Sequence, residues 1–583
     1  MNEQNDYRLV NQQNRELKLR AQRHDIINAD SETALAMILD APAPATLIQS
    51  FPDQDLYYLM HKIGPDDFIP ILSMATSDQW EYILDVDVWD NDRLDVPTLT
   101  KVFDVLFQAD PQRLLRWVIT QKPDFFEFYL FKNMNIFIRE HDDIPPEDFD
   151  DYITLDDKFY FRFPDKPDLD DDQMAIPEDG EHAWELIETM LKCLADMDLS
   201  VFHGLLLETA GMLTAETEEE QFRLRTLRLA EKGFLPTHEA IGIYQPTTPS
   251  SLSKRPESLS SSPSPFNPDI PLPPQFFSGF MQGDNLFIKS LQLFDPQVIL
   301  VLESELAALI NKVISADKIK LRSKEALEKA ISKTCDYLNL GLELLSDTDP
   351  SPAKARAIIE EHFLENIFRT GSRAGIQLKS MAQKWFNHSF MNQNQLPLSF
   401  LSEKYLGVIG GLLIDRPLYF NELLKGDRYR NFKTISDILT TKEQLDQIIA
   451  IDTLLNHMDV DIQSFTHGIL TYKTLILTLW AKDRLNMEKS LDPIPISRFK
   501  PFFTALFAPD DTGMTQALPL SDLTIFIQET TGLKEEELPE GCNQVINNLI
   551  HELGEEYGTV NPNDLDPRFI CHFILKTDKP EKP

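Results

Sequence analysis

Residues 47–85 read LIQSFPDQDLYYLMHKIGPDDFIPILSMATSDQWEYILD, and apolar side chains recur in this stretch every 12 residues. Leu56, Phe68 and Trp80 form one column, Leu59, Ile71 and Ile83 a second, and Met60, Leu72 and Leu84 a third. Offsets of 0, 3 and 4 place all three columns on one face of a helix. Each unit opens with Pro or Ser ahead of Asp, in FPDQD, GPDDF and TSDQW. This is a helix-start pattern, because the first turn has unpaired amides and a positive dipole end that favour a carboxylate. Twelve residues hold about two helical turns and a tight connection. Helices this short are marginal alone, so the repeat predicts a stack in which neighbours bury one another's apolar faces.

The frame returns after an acidic interruption. Leu114 and Phe126, Trp117 and Tyr129, and Val118 and Leu130 are again 12 apart, behind Asp110-Pro111 and Lys122-Pro123. Tyr152–Phe163, YITLDDKFYFRF, is aromatic and β-branched with Asp156-Asp157 in its middle, which predicts a short hairpin. The stretch 245–275, QPTTPSSLSKRPESLSSSPSPFNPDIPLPPQ, has Ser and Pro in place of any apolar period and reads as a linker. Beyond it Asp295-Pro296, Ser351-Pro352 and a Thr441–Gln444 capping box open helices, and others are expected over 398–413, 462–481 and 542–557. The expected fold is mainly α. A helical lead-in covers 1–45, an acidic stacked-helix domain with the hairpin 46–244, the linker 245–275, and a second helical domain 276–583.

Charge narrows the partners. The 583 residues carry 94 Asp and Glu against 55 Lys and Arg, a net charge of -39. Residues 1–250 hold 50 acids and 21 bases, whereas 251–583 hold 44 and 34. Such a surface repels phosphate backbones and anionic membranes and favours a basic protein segment or a cation. Phe125, Phe126, Tyr129, Phe131, Phe159 and Phe161 lack interleaved bases and read as core rather than as a nucleic-acid platform. The start MNEQNDYRLVNQQNRELKLR has no apolar leader, and the most apolar stretch, Ile469–Ala481, is short and broken by Lys473, so a soluble cytoplasmic protein is expected. Cys193, Cys335, Cys542 and Cys571 lie far apart and predict reduced thiols.

Familiar catalytic patterns are missing: the sequence has no phosphate-binding loop, no G-x-S-x-G turn and no H-E-x-x-H pair. Gly407, Gly410 and Gly411 lie in an apolar helix without a phosphate-binding lysine. Three features bear on chemistry. DVDVWDNDRLD supplies Asp85, Asp87, Asp90, Asp92 and Asp95, a carboxylate set suited to Mg2+ or Ca2+, although no Gly or Glu stands where an EF-hand needs one. A solvated acidic junction between helices is the alternative reading. The acidic runs EHDD, PPEDFDD and DLDDD within 140–172 suit a solubilising loop or a basic partner. His551 and Glu555 share a helix face, which is an intrahelical pair or half a metal site, with His572 beside Cys571 as a further ligand only if the fold brings it near.

Residues 42–131, through the LIQSFPDQDLYYLMHKIGPDDFIPILSMATSDQWEYILD units, resemble the N-terminal superhelical domain of MgtE-type magnesium transporters and, more distantly, the armadillo-like part of flagellar motor switch proteins. The resemblance implies a right-handed superhelix of short helices used for contacts with another domain or subunit. Nothing like the transporter's regulatory domains or membrane helices follows, so transport is not implied. Over its full length, with LDAPAPATLIQSFPDQDL, DVDVWDNDRLD and YITLDDKFYFRF, the chain resembles a family of large acidic bacterial proteins without an assigned activity. Three functions are open at this point. The first is a protein-interaction or regulatory scaffold, the second a sensor of Mg2+ or Ca2+, and the third an enzyme with a site between the halves using His457, His467 or His551.

Overall fold

The computed structural model describes residues 15–139, 152–163, 178–247, 252–256, 274–277, 285–346, 349–458, 470–507 and 520–578, except 17, 213, 322–323, 425 and 427, and also residues 259, 460 and 462. The fold is mainly α, with small strand pairs. The acidic runs EHDD, PPEDFDD and DLDDD and most of the Ser/Pro-rich stretch lie outside the described residues.

Helix α1 spans 18–28 and is followed by α2 (Ser31–Leu39) and α3 (Pro44–Gln49). The repeat comes next as α4 (Asp53–Ile63), α5 (Pro65–Leu72) and α6 (Ser77–Asp87), whose starts are 12 residues apart. After a hairpin, β1 (Trp89–Asp90) and β2 (Arg93–Leu94), come α7 (Val96–Ala109), α8 (Pro111–Gln121) and α9 (Pro123–Asn133), the last two again 12 apart. Every residue of the three columns is buried, with Phe68, Trp80, Leu59 and Ile71 at 0% exposure. Helix α4 packs on α5 and on α6, and α5 on α7, so each short helix is covered by its neighbour and by the next but one. Local chemistry sets the joints. Gly64 turns the chain from α4 into α5 at φ +111, a left-handed conformation that side chains resist. Thr76 and Gln79 form a reciprocal capping box at α6, and Asp110 caps α8 through the Arg113 amide.

The hairpin expected over 152–163 is present as β4 (Ile153–Thr154) and β5 (Phe159–Arg162). Its turn is built by Asp156 Oδ1, which accepts from the amides of Lys158 and Phe159, and by Asp157 at φ +56. Asn135–Ile138 adds an antiparallel strand, β3, on the other side of β5. Phe131 departs from the core reading, being 41% exposed, while Phe125, Phe126, Tyr129, Phe159 and Phe161 are buried. Helices α10 (Glu178–Met197), α11 (Leu199–Ala210) and α12 (Thr214–Glu231) pack against α9.

The chain divides into two compact units, one of Met1–Gln245, Pro249–Leu338 and Leu345–Arg369, the other of Pro246–Thr248, Asn339–Leu344 and Thr370–Pro583. Residues expected as one domain over 276–583 are thus shared between the two units. The reason lies in the contacts of the first unit. Buried Asp55 accepts from the amides of Gln275 and Phe276, Asn311 donates to the Lys232 carbonyl at 2.7 Å, and Arg20 pairs with Glu303 at 2.7 Å. Short helices α13 (Thr237–Ala240) and α14 (Leu286–Leu291), and the long α15 (Pro296–Ala316), therefore complete the first unit.

Helices α16 (Lys324–Leu345), α17 (Pro352–Glu361), α18 (Leu364–His388) and α19 (Phe390–Gln393) lead to the second unit's main body. There lie α20 (Glu403–Leu413), α21 (Ile435–His457), α22 (Tyr472–Arg484), α23 (Ile496–Leu506), α24 (Leu520–Thr531) and α25 (Cys542–Tyr557). The capping box of α21 is Thr434 with Asp437, not Thr441 with Gln444. Thr441 sits inside the helix, where its hydroxyl donates back to the Asp437 carbonyl at 2.8 Å. Among the described residues no helix is long and apolar enough to cross a membrane.

The glycines of α20 explain themselves here. Between β6 (Tyr419–Phe420) and β7 (Tyr429–Arg430) and the helix there is no room for side chains, since a Cβ on Gly411 would stand 2.6 Å from the Leu418 carbonyl oxygen. Gly411→Ala is expected to lower stability by about 2 kcal/mol, overpacking outweighing the roughly 1 kcal/mol that Ala gains inside a helix. Gly410→Ala, whose Cβ would meet only the Tyr429 hydroxyl at 3.0 Å, serves as the milder control. The midpoint of urea unfolding reads both, and equal midpoints for the two variants would contradict this account.

Candidate functional site

The segment Asp85–Asp95 leaves α6, makes the β1–β2 hairpin and enters α7. Asn91 holds the turn at φ +60, a conformation that Asn tolerates better than most residues. The change from helix to hairpin sends the five carboxylates in different directions. Asp85 is buried and receives Arg228 of α12 in a bidentate pair, at 2.8 and 2.7 Å. Asp87 Oδ1 lies 2.5 Å from the Tyr57 hydroxyl, and its Oδ2 faces His61 at 3.7 Å. Asp90 pairs with Lys320 at 2.9 Å, Asp92 is exposed, and Asp95 caps α7, accepting from the Thr98 hydroxyl at 2.7 Å. Burial holds the Asp85 carboxyl above the usual carboxylate range while Arg228 pulls it down. Mg2+ or Ca2+ needs several oxygens converging on one point. Among the described residues no three His, Cys, Asp or Glu side chains do so, and these five do not fit such an ion.

What the hairpin does build is one wall of a cavity of about 520 Å3 in the first unit. Its other walls come from α12, the turn before α13, and the chain that leaves α15. Trp89 and Phe222 face each other at 5.7 Å, and the Arg225 guanidinium lies 5.4 Å from the Trp89 ring centre and 5.9 Å from that of Phe222. Arg225 Nε donates to the Asp85 carbonyl at 2.6 Å. The Asp85 carboxylate is already taken by Arg228, so among the described residues Arg225 has no carboxylate bonded to its terminal nitrogens. Burial pushes its guanidinium down to about 10, with the nearby Asp85 charge opposing. Lys318, at φ +53, and Asn91 both line the cavity, so two of the left-handed non-glycine residues of the chain lie at this one place. Leu94 donates its amide to Glu218 of α12 at 2.9 Å and fixes the hairpin against that helix.

The first unit has a second cavity of about 540 Å3, walled by Phe277, Phe287, Phe294, Ile299 and Leu306 and edged by the Arg20–Glu303 pair. Its walls are mostly apolar, with Gln292 and Gln297 the further polar residues of its lining. In the second unit His551 and Glu555 make an exposed pair within α25 at 3.3 Å. His572 turns instead to the other side of that helix, where Nε2 is 3.2 Å from Glu552 and Nδ1 is 2.7 Å from the Tyr557 hydroxyl. Lys473 donates to the same Glu552. Although burial opposes it, hydrogen bonds from His572 and Lys473 hold the Glu552 carboxyl at about 2. This carboxylate–imidazole–phenol relay ends on Tyr557, which is 4% exposed, and ties the chain after Leu565 to α25. Cys571 is exposed beside it. His457 binds its own helix through the Thr453 carbonyl, and His467 lies outside the described residues.

Sequence reasoning passed over Phe222, Arg225 and Arg228. The available hint was QFRLRTLRLA, residues 221–230, three arginines in one helix of the more acidic half. No curated protein and no solved structure matches the chain. A family model described as a family of unknown function, DUF6178, matches residues 11–576, and the chain belongs to that family.

Proposed function

We propose that this is a cytoplasmic bacterial protein-interaction scaffold whose first unit recognises a partner at the Trp89–Arg225 cavity. The observation that carries the reading is the hairpin: it interrupts the helical repeat, is anchored by Asp85–Arg228, Asp87–Tyr57 and Leu94–Glu218, and presents an aromatic floor with unspent charge. A concave site of this volume with mostly apolar walls and a few placed polar groups is what binding pockets share. Stacked helices commonly serve as recognition surfaces, and the resemblance of 42–131 to the MgtE-type superhelical domain points the same way. The exposed Asp92 of the cavity lining suits a partner with a basic residue beside its docking segment.

Lysine-reactive crosslinking under native conditions tests this. Lys318 and Lys320 are expected to link to a second polypeptide, and those links are expected to vanish in Trp89→Ala while links elsewhere persist. Recovery of self-links alone would count against the partner.

A further inference from the structure

We propose that the cavity takes a carboxylate carried on an apolar stem, the anion bound by Arg225 with Lys318 beside it and the stem lying over Trp89 and Phe222. The inference deepens the scaffold reading and rests on it for the source of the ligand. Arg225 is the only half-buried cation among the described residues of the cavity, and its forked donors suit the two oxygens of a carboxylate. Among the described residues no carboxylate satisfies its terminal nitrogens. Nε is spent on the Asp85 carbonyl, Asp85 Oδ1 and Oδ2 are spent on Arg228, and Asp90 is spent on Lys320. Asp87, which also lines the cavity, accepts from the Tyr57 hydroxyl, and its other oxygen faces His61 at 3.7 Å. Lys318 has no charged partner among the described residues, and its backbone is held in the left-handed region beside the mouth.

The stem follows from the rest of the molecule. A chain with net charge -39 repels a bare anion at long range, so the Arg225 contact alone cannot gather one from solution. Apolar area has to supply most of the affinity, and the cavity offers it in Trp89, Phe222, Leu229, Phe234 and Leu235. An apolar residue at the C-terminus of a partner protein has this chemistry, and so does a free aromatic or branched-chain acid.

Calorimetric titration of the full chain separates the sources. One arm uses peptides ending in Phe or Leu with a free carboxylate and the same peptides as C-terminal amides. The other uses phenylacetate and indole-3-acetate with the corresponding amides, and acetate as the stemless control. At least one acid is expected to saturate the protein, its amide to bind tenfold or more weakly, and Arg225→Gln to erase that difference. Acid and amide binding alike, or no binding in either arm, overturns the proposal. Should Arg225→Gln fail to fold, the acid–amide comparison in the unaltered protein and in exposed Lys318→Ala decides instead, the latter expected to weaken the acid severalfold. Crosslinks to a partner that persist while acids and amides bind alike would leave the scaffold reading standing and remove this one. Binding of free acids with only self-links would do the reverse.

Discussion

Replacing Trp80 by alanine is expected to cost about 4 kcal/mol, the largest loss of any single change in the helical repeat. Trp80 is the α6 member of the first apolar column and is 0% exposed. Its indole N–H donates to the Leu72 carbonyl at 3.0 Å, crossing from α6 to the end of α5. The ring meets Trp117 edge-on at 5.7 Å, joining the two blocks of the repeat across the hairpin insertion, and carries the Arg113 guanidinium at 4.1 Å. Alanine would leave a cavity and an uncovered arginine together, and would take from the Leu72 carbonyl one of its two donors, the other being the Ala75 amide at 3.2 Å. Trp80→Phe keeps most of the ring area and loses the hydrogen bond, so about 1–2 kcal/mol is expected for it. Urea unfolding followed by far-ultraviolet circular dichroism measures both. Should Trp80→Ala cost no more than Trp80→Phe, the column would not be the core of the repeat.

That prediction draws on a feature legible from sequence, because the repeat is local. Helix starts at Asp53, Pro65 and Ser77 depend on residues within one turn, and the columns depend on spacing alone. The 152–163 hairpin and the bounds of α25 were legible for the same reason. The site was not. Asp85 meets Arg228 across 143 positions, and no local pattern says which arginine will reach which carboxylate. Reading Asp85, Asp87, Asp90, Asp92 and Asp95 as one set assumed a common direction, and the switch from helical to strand geometry at Val88 removes it. Asx and Thr side chains add a further ambiguity: Thr434-x-x-Asp437 and Thr441-x-x-Gln444 obey the same capping pattern, and only the packed structure selects the first. A Ser/Pro-rich stretch likewise announces the loss of periodicity without telling whether the chain beyond it returns to the same core.

Asp55 is where that return is secured, and its removal is the second large effect expected. The carboxylate is 0% exposed and accepts from the Gln275 amide at 2.7 Å and from the Phe276 amide at 2.8 Å, so Asp55→Ala leaves two buried donors unpaired, at about 3 kcal/mol together. Asp55→Asn keeps one oxygen that can accept from both amides and is expected to be much milder. The pair also isolates a pH effect. Burial pushes the Asp55 carboxyl from the 3.8 of an unburied aspartate to about 7, against the opposing pull of the two amides and of the Arg23 charge. Between those values the folded chain keeps a proton that the unfolded chain releases, so rising pH favours unfolding at up to about 1.4 kcal/mol per pH unit from this group. Its contribution is fully present below about pH 4, is lost as pH rises towards 7, and is level above that. Other carboxylates superpose their own trends, and the Asn variant shares those but not this one. The stability of the unaltered protein relative to Asp55→Asn, taken from urea midpoints between pH 4.5 and 8, is therefore expected to decline with pH and then flatten. A relative stability that instead grows with pH would show Asp55 ionised in the folded state, held by the two amides and by Arg23, and would assign the join between the two parts of the first unit to a buried charge pair.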